Sequence, residues 1–143
     1  NIITFMKFKY LADVAIADIA FEAYGKNLNE VFENSAYAFF DMTCNPKTIK
    51  NKIKKIINLK EKDEKNLLYN FLSELIFLKD SKQLIFNKVK VLIKDNKLKA
   101  VLYGDKIDYE KQELRNDIKA ITLHMFNLEK TKNGYKTTVV VDI

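Results

Sequence analysis

The stretch that most constrains this chain runs from Ile118 to Ile143, IKAITLHMFNLEKTKNGYKTTVVVDI. It reads as two strands joined at Asn133-Gly134, since both residues tolerate the positive φ that a type I′ hairpin turn requires. The outgoing strand, Thr137 to Val141, is β-branched at every position, the pattern of a strand buried on both faces. A chain with such a segment must build a sheet and cover it. Asp142 follows at once, with one residue after it. A carboxylate at the end of a buried strand costs free energy unless a cation or a metal faces it.

A second acid sits in similar company near the other terminus. In Leu11 to Gly25, LADVAIADIAFEAYG, strand alternation puts Ile19, Phe21 and Ala23 on one face. Asp18 shares the other face with Ile16, Ala20 and Glu22. If the terminal strands are neighbours, Asp18 and Asp142 meet. Two carboxylates that meet repel, so either one keeps a proton or a cation lies between them. Hard divalent ions favour such oxygen ligands. The alternative is that each acid pairs separately with a lysine at a sheet edge.

Between these ends the pattern alternates strand and helix. Thr4 to Leu11 and Ala15 to Tyr24 read as strands. Asn27 with Glu30 three residues on forms a capping-box pattern, and Leu28, Val31, Phe32, Ser35 and Phe39 then recur at helical spacing to about Met42. Asn45-Pro46 breaks the run. Thr48 to Leu59 fits both periods. Its surroundings, Lys47 to Lys60, hold six lysines, which suit either an RNA-binding edge or a solvated edge strand protected from aggregation. Asp63 caps a second helix to about Leu78, with Lys79-Asp80-Ser81 ending it. Leu84 to Lys94 and Lys97 to Tyr103 form a hairpin about Asp95-Asn96, and Gly104 opens a charged loop to Asn116. The expected architecture is one α+β domain over residues 1–143, with two main helices against mostly antiparallel sheet.

Composition narrows the function classes. The chain has 143 residues, enough for a substantial core, and a net charge of +6. Arg115 is the only arginine, so the planar fork that recognises phosphate and base edges is nearly absent. No apolar run approaches the roughly 20 residues of a membrane span, and the first residues, NIITFMKFKY, lack a secretory signal pattern. One cysteine, Cys44, excludes an internal disulfide and fits a cytoplasmic location; placed after a helix end, its thiol has nothing to activate it. Gly-rich phosphate loops, CxxC, HExxH and Ser-His-Asp arrangements are missing, so no machinery for independent catalysis is visible.

Three segments carry a family resemblance. AxADIAFEAYGKNLNEVFENSAYAFF, LLYNFLSELIFLKD and ELRNDIKAITLHMFNLEK…GYKTTVVVDI resemble archease, in order and spacing, over nearly the whole chain. The resemblance favours a strand for Thr48 to Leu59. It implies a non-enzymatic accessory factor that activates the RtcB-type tRNA-splicing RNA ligase by promoting its guanylylation. It also implies a metal site of Asp18, Asp142 and Ile143, taking a divalent ion such as calcium or magnesium, and it matches Lys119 to the family's strand-opening lysine, near the acids and free to contact them, a phosphate or the ligase. One departure stands out. The family pattern Asp/Glu-His-Thr-Ala-Asp falls on Val14, Ala15, Ile16, Ala17 and Asp18, so its histidine is replaced by Ala15 and the acid before it by Val14. Asp13 is one position off register and faces the other way.

His124 is the only histidine. Counting back from an Asn133-Gly134 turn places it opposite Ile143, where it is either a second-shell donor to a metal or a hydrogen-bonded core residue. Two other function classes stay open beside the ligase activator. One is a general chaperone or basic RNA-binding module with a weak RNA contact. The other is a metal-dependent hydrolase using Asp18, Asp142 and His124, a thin site without a clear general base.

Overall fold

The computed structural model describes residues 7–12 and 18–143. In chain order they form β1 (Phe8–Leu11), β2 (Asp18–Gly25), α1 (Leu28–Thr43), β3 (Ile53–Lys60), α2 (Glu64–Lys82), β4 (Leu84–Lys94), β5 (Lys97–Lys106), β6 (Ala120–Thr131) and β7 (Gly134–Asp142). The strands make two sheets, ordered β1-β2-β7-β6 and β3-β5-β4, and every pairing is antiparallel. The α+β expectation holds. Thr4 to Met6 and Ala15 to Ala17, parts of the first two expected strands, lie outside the described residues.

Local chemistry sets the helix starts. The Asn27 side chain accepts from the Glu30 N–H at 2.9 Å, and Glu30 accepts from the Lys26 N–H at 3.2 Å. Asp63 accepts from the Asn66 N–H at 2.8 Å. Each cap satisfies donors that the first helical turn leaves unpaired. The second helix runs past its expected end to Lys82, and Gln83 closes it at φ 56°. Lys79-Asp80-Ser81 does not break it, because the Lys79 ammonium turns inward to Asp80 and Asp117, at 2.5 Å from each. Burial works to lower the pKa of that ammonium; the bonds to the two carboxylates outweigh it and leave it raised.

The core lies between the helices and one face of each sheet. Phe21, Phe32, Phe40, Phe71 and Leu72 are fully enclosed in it. Helix α1 packs on β2 of one sheet and β4 of the other, and so joins them. It also closes the outer edge of β4. Asn29, Glu33 and Tyr37, four residues apart on one helical stripe, reach the backbone of Ile93, Val91 and Val89 in turn. The Asn29 and Glu33 bonds are 2.8 Å long. A helix laid along an edge strand removes a site for unwanted strand pairing.

One of the two hairpin turns is as expected and the other is shifted. Asp95-Asn96 is a two-residue turn with φ 51° and 58°, as type I′ needs. In the terminal hairpin the closing pair is Thr131↔Gly134, so Lys132-Asn133 make the turn, neither with positive φ. Gly134 sits in β7 instead, at φ 151°, where an added Cβ would lie 2.1 Å from the Gly25 carbonyl oxygen. The glycine serves a close approach between strands rather than the turn itself. Gly104 likewise does not open a loop: β5 continues through it to Lys106. The true loop, residues 107–119, is tied down by main-chain bonds from Arg115 to Thr43 and Asn116 to Met42, and by the Arg115 guanidinium on Asp41 at 3.0 Å.

Candidate functional site

The two outlying carboxylates meet. Asp18, the first residue of β2, is the direct partner of Asp142, the last residue of β7, and Asp142 faces Ala120 of β6 on its other side. Side chains directly opposite in an antiparallel pair have Cβ atoms about 5 Å apart. The next row, Ile19, Val141 and Ile121, packs into the core. Alternation therefore sends Asp18 and Asp142 to the opposite face, which they share with Ala20, Val140 and Thr122. Ala20 and Val140 are fully buried and both acids are half-buried. The acid pair thus sits at the rim of a small apolar patch.

Lysines do not neutralise this pair. Among the described residues neither Asp18 nor Asp142 has a side-chain hydrogen bond or an ion pair. Glu22, on the same face of β2, shows the contrast. It receives the Tyr24 hydroxyl at 2.8 Å and lies 3.4 Å from Lys9 and 3.7 Å from Lys136. Partial burial would push its carboxyl up, but those three groups hold it below its ordinary range. The edge lysines are thus committed to Glu22, and the reading in which each aspartate pairs with its own lysine fails among the described residues.

The donors present suit a hard divalent ion. They are two carboxylates and, one row along, the Thr122 hydroxyl, a buried oxygen with no hydrogen-bond partner among the described residues. No cluster of three or more His, Cys, Asp and Glu side chains occurs among those residues, so a nitrogen- or sulfur-rich metal site has no support there. The Ile143 side chain packs on the core and carries no donor, so only its main-chain carbonyl can ligate. Asp13, Val14 and Ala15 lie outside the described residues.

Lys119 stands beside the pair. Its backbone N–H donates to the Asp142 carbonyl at 2.8 Å, while its side chain is exposed. His124 is not brought to the site. Between Thr122↔Val140 and Asn127↔Thr138 strand β6 advances five residues while β7 advances two, so three residues loop out. The expected pairing of His124 with Ile143 assumed an unbroken ladder. His124 lies in this bulge and is exposed, with Leu123, 73% exposed, before it and Met125 after it at φ 57°. The sequence signal for the bulge is Met125-Phe126, two successive apolar residues where the alternation from Ile121 to Met125 breaks.

Cys44 is inert, as its position implies. It is buried, its thiol donates to the Phe40 carbonyl at 3.3 Å, and burial pushes its pKa up to about 11. Iodoacetamide at mildly alkaline pH should leave the folded protein unlabelled and modify it fully in denaturant, as read by intact mass. Rapid labelling of the native protein would contradict this burial.

Comparison with known proteins bears on the same residues. The model of the Archease protein family (MTH1598/TM1083) matches residues 8–143. The chain belongs to the archease family. Protein archease of Pyrococcus furiosus is 40% identical over 132 residues, spanning 89% of this chain and 93% of that one. The solution structure of protein 1598 from Methanobacterium thermoautotrophicum superposes with a TM-score of 0.79 at 33% identity, over 96% of this chain and 99% of that one. A crystal structure from Thermotoga maritima, of an archease described as a possible chaperone, shares the fold with a TM-score of 0.66 at 23% identity, over 90% and 93% of the two chains. The family match begins at β1 and ends at Ile143, so it takes in both acids of the pair.

Proposed function

We propose that this chain activates an RtcB-type tRNA-splicing RNA ligase in the cytoplasm, as an accessory factor and not as the ligase. Family membership supports the class of activity. The observation that carries the residue assignment is the facing of Asp18 and Asp142 across one strand pair, half-exposed and without a lysine partner among the described residues.

The mechanism follows from what these groups can do. Two carboxylates held side by side on paired strands form a rigid, acceptor-only surface. They would hold a divalent ion, calcium or magnesium by donor type, with the Thr122 hydroxyl and the main chain at Ile143 as further oxygens. Such an ion, when bound, supplies positive charge against phosphate oxygens. Asp18 and Asp142 would hold that charge at the sheet end, where the ligase's nucleotide centre can reach it. Lys119, exposed beside them, contacts a nucleotide phosphate or an acidic group of the ligase. The result is a productive geometry for transfer of guanylate to the ligase.

The test is ligase guanylylation with GTP, with and without substoichiometric amounts of this protein. Stimulation that continues over many turnovers per added molecule is expected. Absence of stimulation, with the partner ligase active on its own, would end this reading and indicate that Ala15 in place of the family histidine has removed the activity.

A further inference from the structure

The sheet β3-β5-β4 turns one face to the core and the other to solvent. Leu98, Ala100 and Leu102 of β5 are buried on the inner face. The residues between them point outward, in four rows across the sheet. The first two are Lys54–Tyr103–Lys88 and Ile56–Val101–Lys90. The next two are Asn58–Lys99–Leu92 and Lys60–Lys97–Lys94. Seven of these twelve side chains are lysines and none is an acid, although the chain carries 19 acids. Among the described residues none of the seven forms an ion pair; Lys88 lies over the Tyr103 ring, 5.7 Å from its centre.

Protection against aggregation does not account for this face. It explains lysines on β3, a free edge. The outer edge of β4 is already closed by Asn29, Glu33 and Tyr37 of α1, and β5 is central with no edge to protect. Five of the seven lysines lie on these two strands. Like charges directly opposite one another also destabilise a sheet, yet Lys60, Lys97 and Lys94 fill one row. A polyanion laid over the face would turn that cost into binding.

We propose that this face binds a single-stranded nucleic acid along its phosphate backbone, without sequence preference. Lysines two residues apart on a strand stand about 6.7 Å apart and adjacent strands about 4.8 Å, a grid of point charges fine enough to follow successive phosphates. Lysine, unlike arginine, imposes no planar geometry on the phosphate it meets and offers no fork to base edges. Tyr103, Ile56 and Leu92 lie between the charges and offer surfaces for bases and sugars. Anionic membrane is the weaker fit. Ile56 and Leu92, 45% and 60% exposed, are on different rows and on the two outer strands, so they do not form the continuous apolar face that enters a bilayer. The inference goes beyond ligase activation and makes no use of Asp18 or Asp142.

The test is fluorescence anisotropy of a labelled oligouridylate with the whole protein and no ligase present, so its outcome is separate from that of the activation assay. If about five phosphates are engaged, Kd should weaken about 100-fold between 50 and 200 mM salt. The double reversal Lys97→Glu/Lys99→Glu should raise Kd at least about tenfold and reduce the salt slope by about 1.4. Lys130→Glu/Lys132→Glu, exposed on the other sheet, should change neither. Should the reversal fail to fold by circular dichroism, Lys97→Ala/Lys99→Ala carries the same expectation for the slope. Equal affinity and slope in the face variant, equal loss in the control variant, or lysine-dependent binding to phosphatidylserine vesicles without RNA binding would each overturn the proposal.

Discussion

Asp18→Ala and Asp142→Ala are each expected to remove the stimulation of ligase guanylylation while leaving the protein folded. The expected loss is about tenfold or more in stimulated rate, the scale seen when groups that hold or orient a metal are removed. The folded state should not suffer. Neither carboxylate has a stabilising partner among the described residues, and each faces the other across the β2–β7 pair. Removing one therefore relieves a repulsion rather than breaking a bond, and the midpoint of thermal unfolding should stay level or rise. Glu22→Ala is the matched comparison. It breaks contacts to Tyr24, Lys9 and Lys136, so it should lower the midpoint slightly and leave stimulation intact. If Asp18→Ala and Asp142→Ala both stimulate normally, the acid pair is not the site of activation.

Gly104→Ala is expected to be the most destabilising single-methyl change in the chain. A Cβ at this position would lie 2.0 Å from the Ile85 carbonyl oxygen and 2.6 Å from the Phe86 Cα. Both obstacles are backbone, so no side-chain rotation can make room. Gly104 is paired on both sides, with Ile53 of β3 and Phe86 of β4, and the β4 register shifts immediately after Phe86. The methyl group can be accommodated only by parting the sheet there, above the inner-face residues Phe86 and Leu102. Overpacking of this kind costs about 3 kcal/mol, which for a chain of this size lowers the unfolding midpoint by roughly 10 °C. An unchanged midpoint in a thermal melt would show that the strands have more room than this contact allows.

Much of the architecture was readable from side-chain period and local chemistry. Asn27 and Asp63 each accept the third backbone N–H beyond them, because capping depends on residues within one turn. The Val139–Val141 run is buried on both faces, as its β-branched continuity implied. Asp95-Asn96 takes the turn expected of it. Thr48 to Leu59 fitted helix and strand equally; the family resemblance selected the strand, which β3 provides from Ile53 onward, while Thr48 ends a 3-10 turn.

The candidate site was legible as two misplaced charges, but not as a register. A hydrophobic pattern states which face a residue takes, and says nothing about how far one strand slides along another. Sliding was decided by contacts between distant segments. The approach of Gly25 to Gly134 takes the glycine out of the turn and shifts the closing pair to Thr131↔Gly134. The three-residue bulge in β6 then carries His124 away from the chain end, while Asp142 still meets Asp18. The lysine face arose in the same way. In the sequence its lysines are spread over three strands and look like ordinary solubilising charge; cross-strand pairing gathers them into four rows, and α1 removes the edge that would have explained them. The sequence by itself determined the elements, their caps and which side chains turn inward, because those depend on neighbours a few residues away. Only the tertiary structure decided which charges stand together, because that depends on strand register and on backbone contacts between residues far apart in the chain.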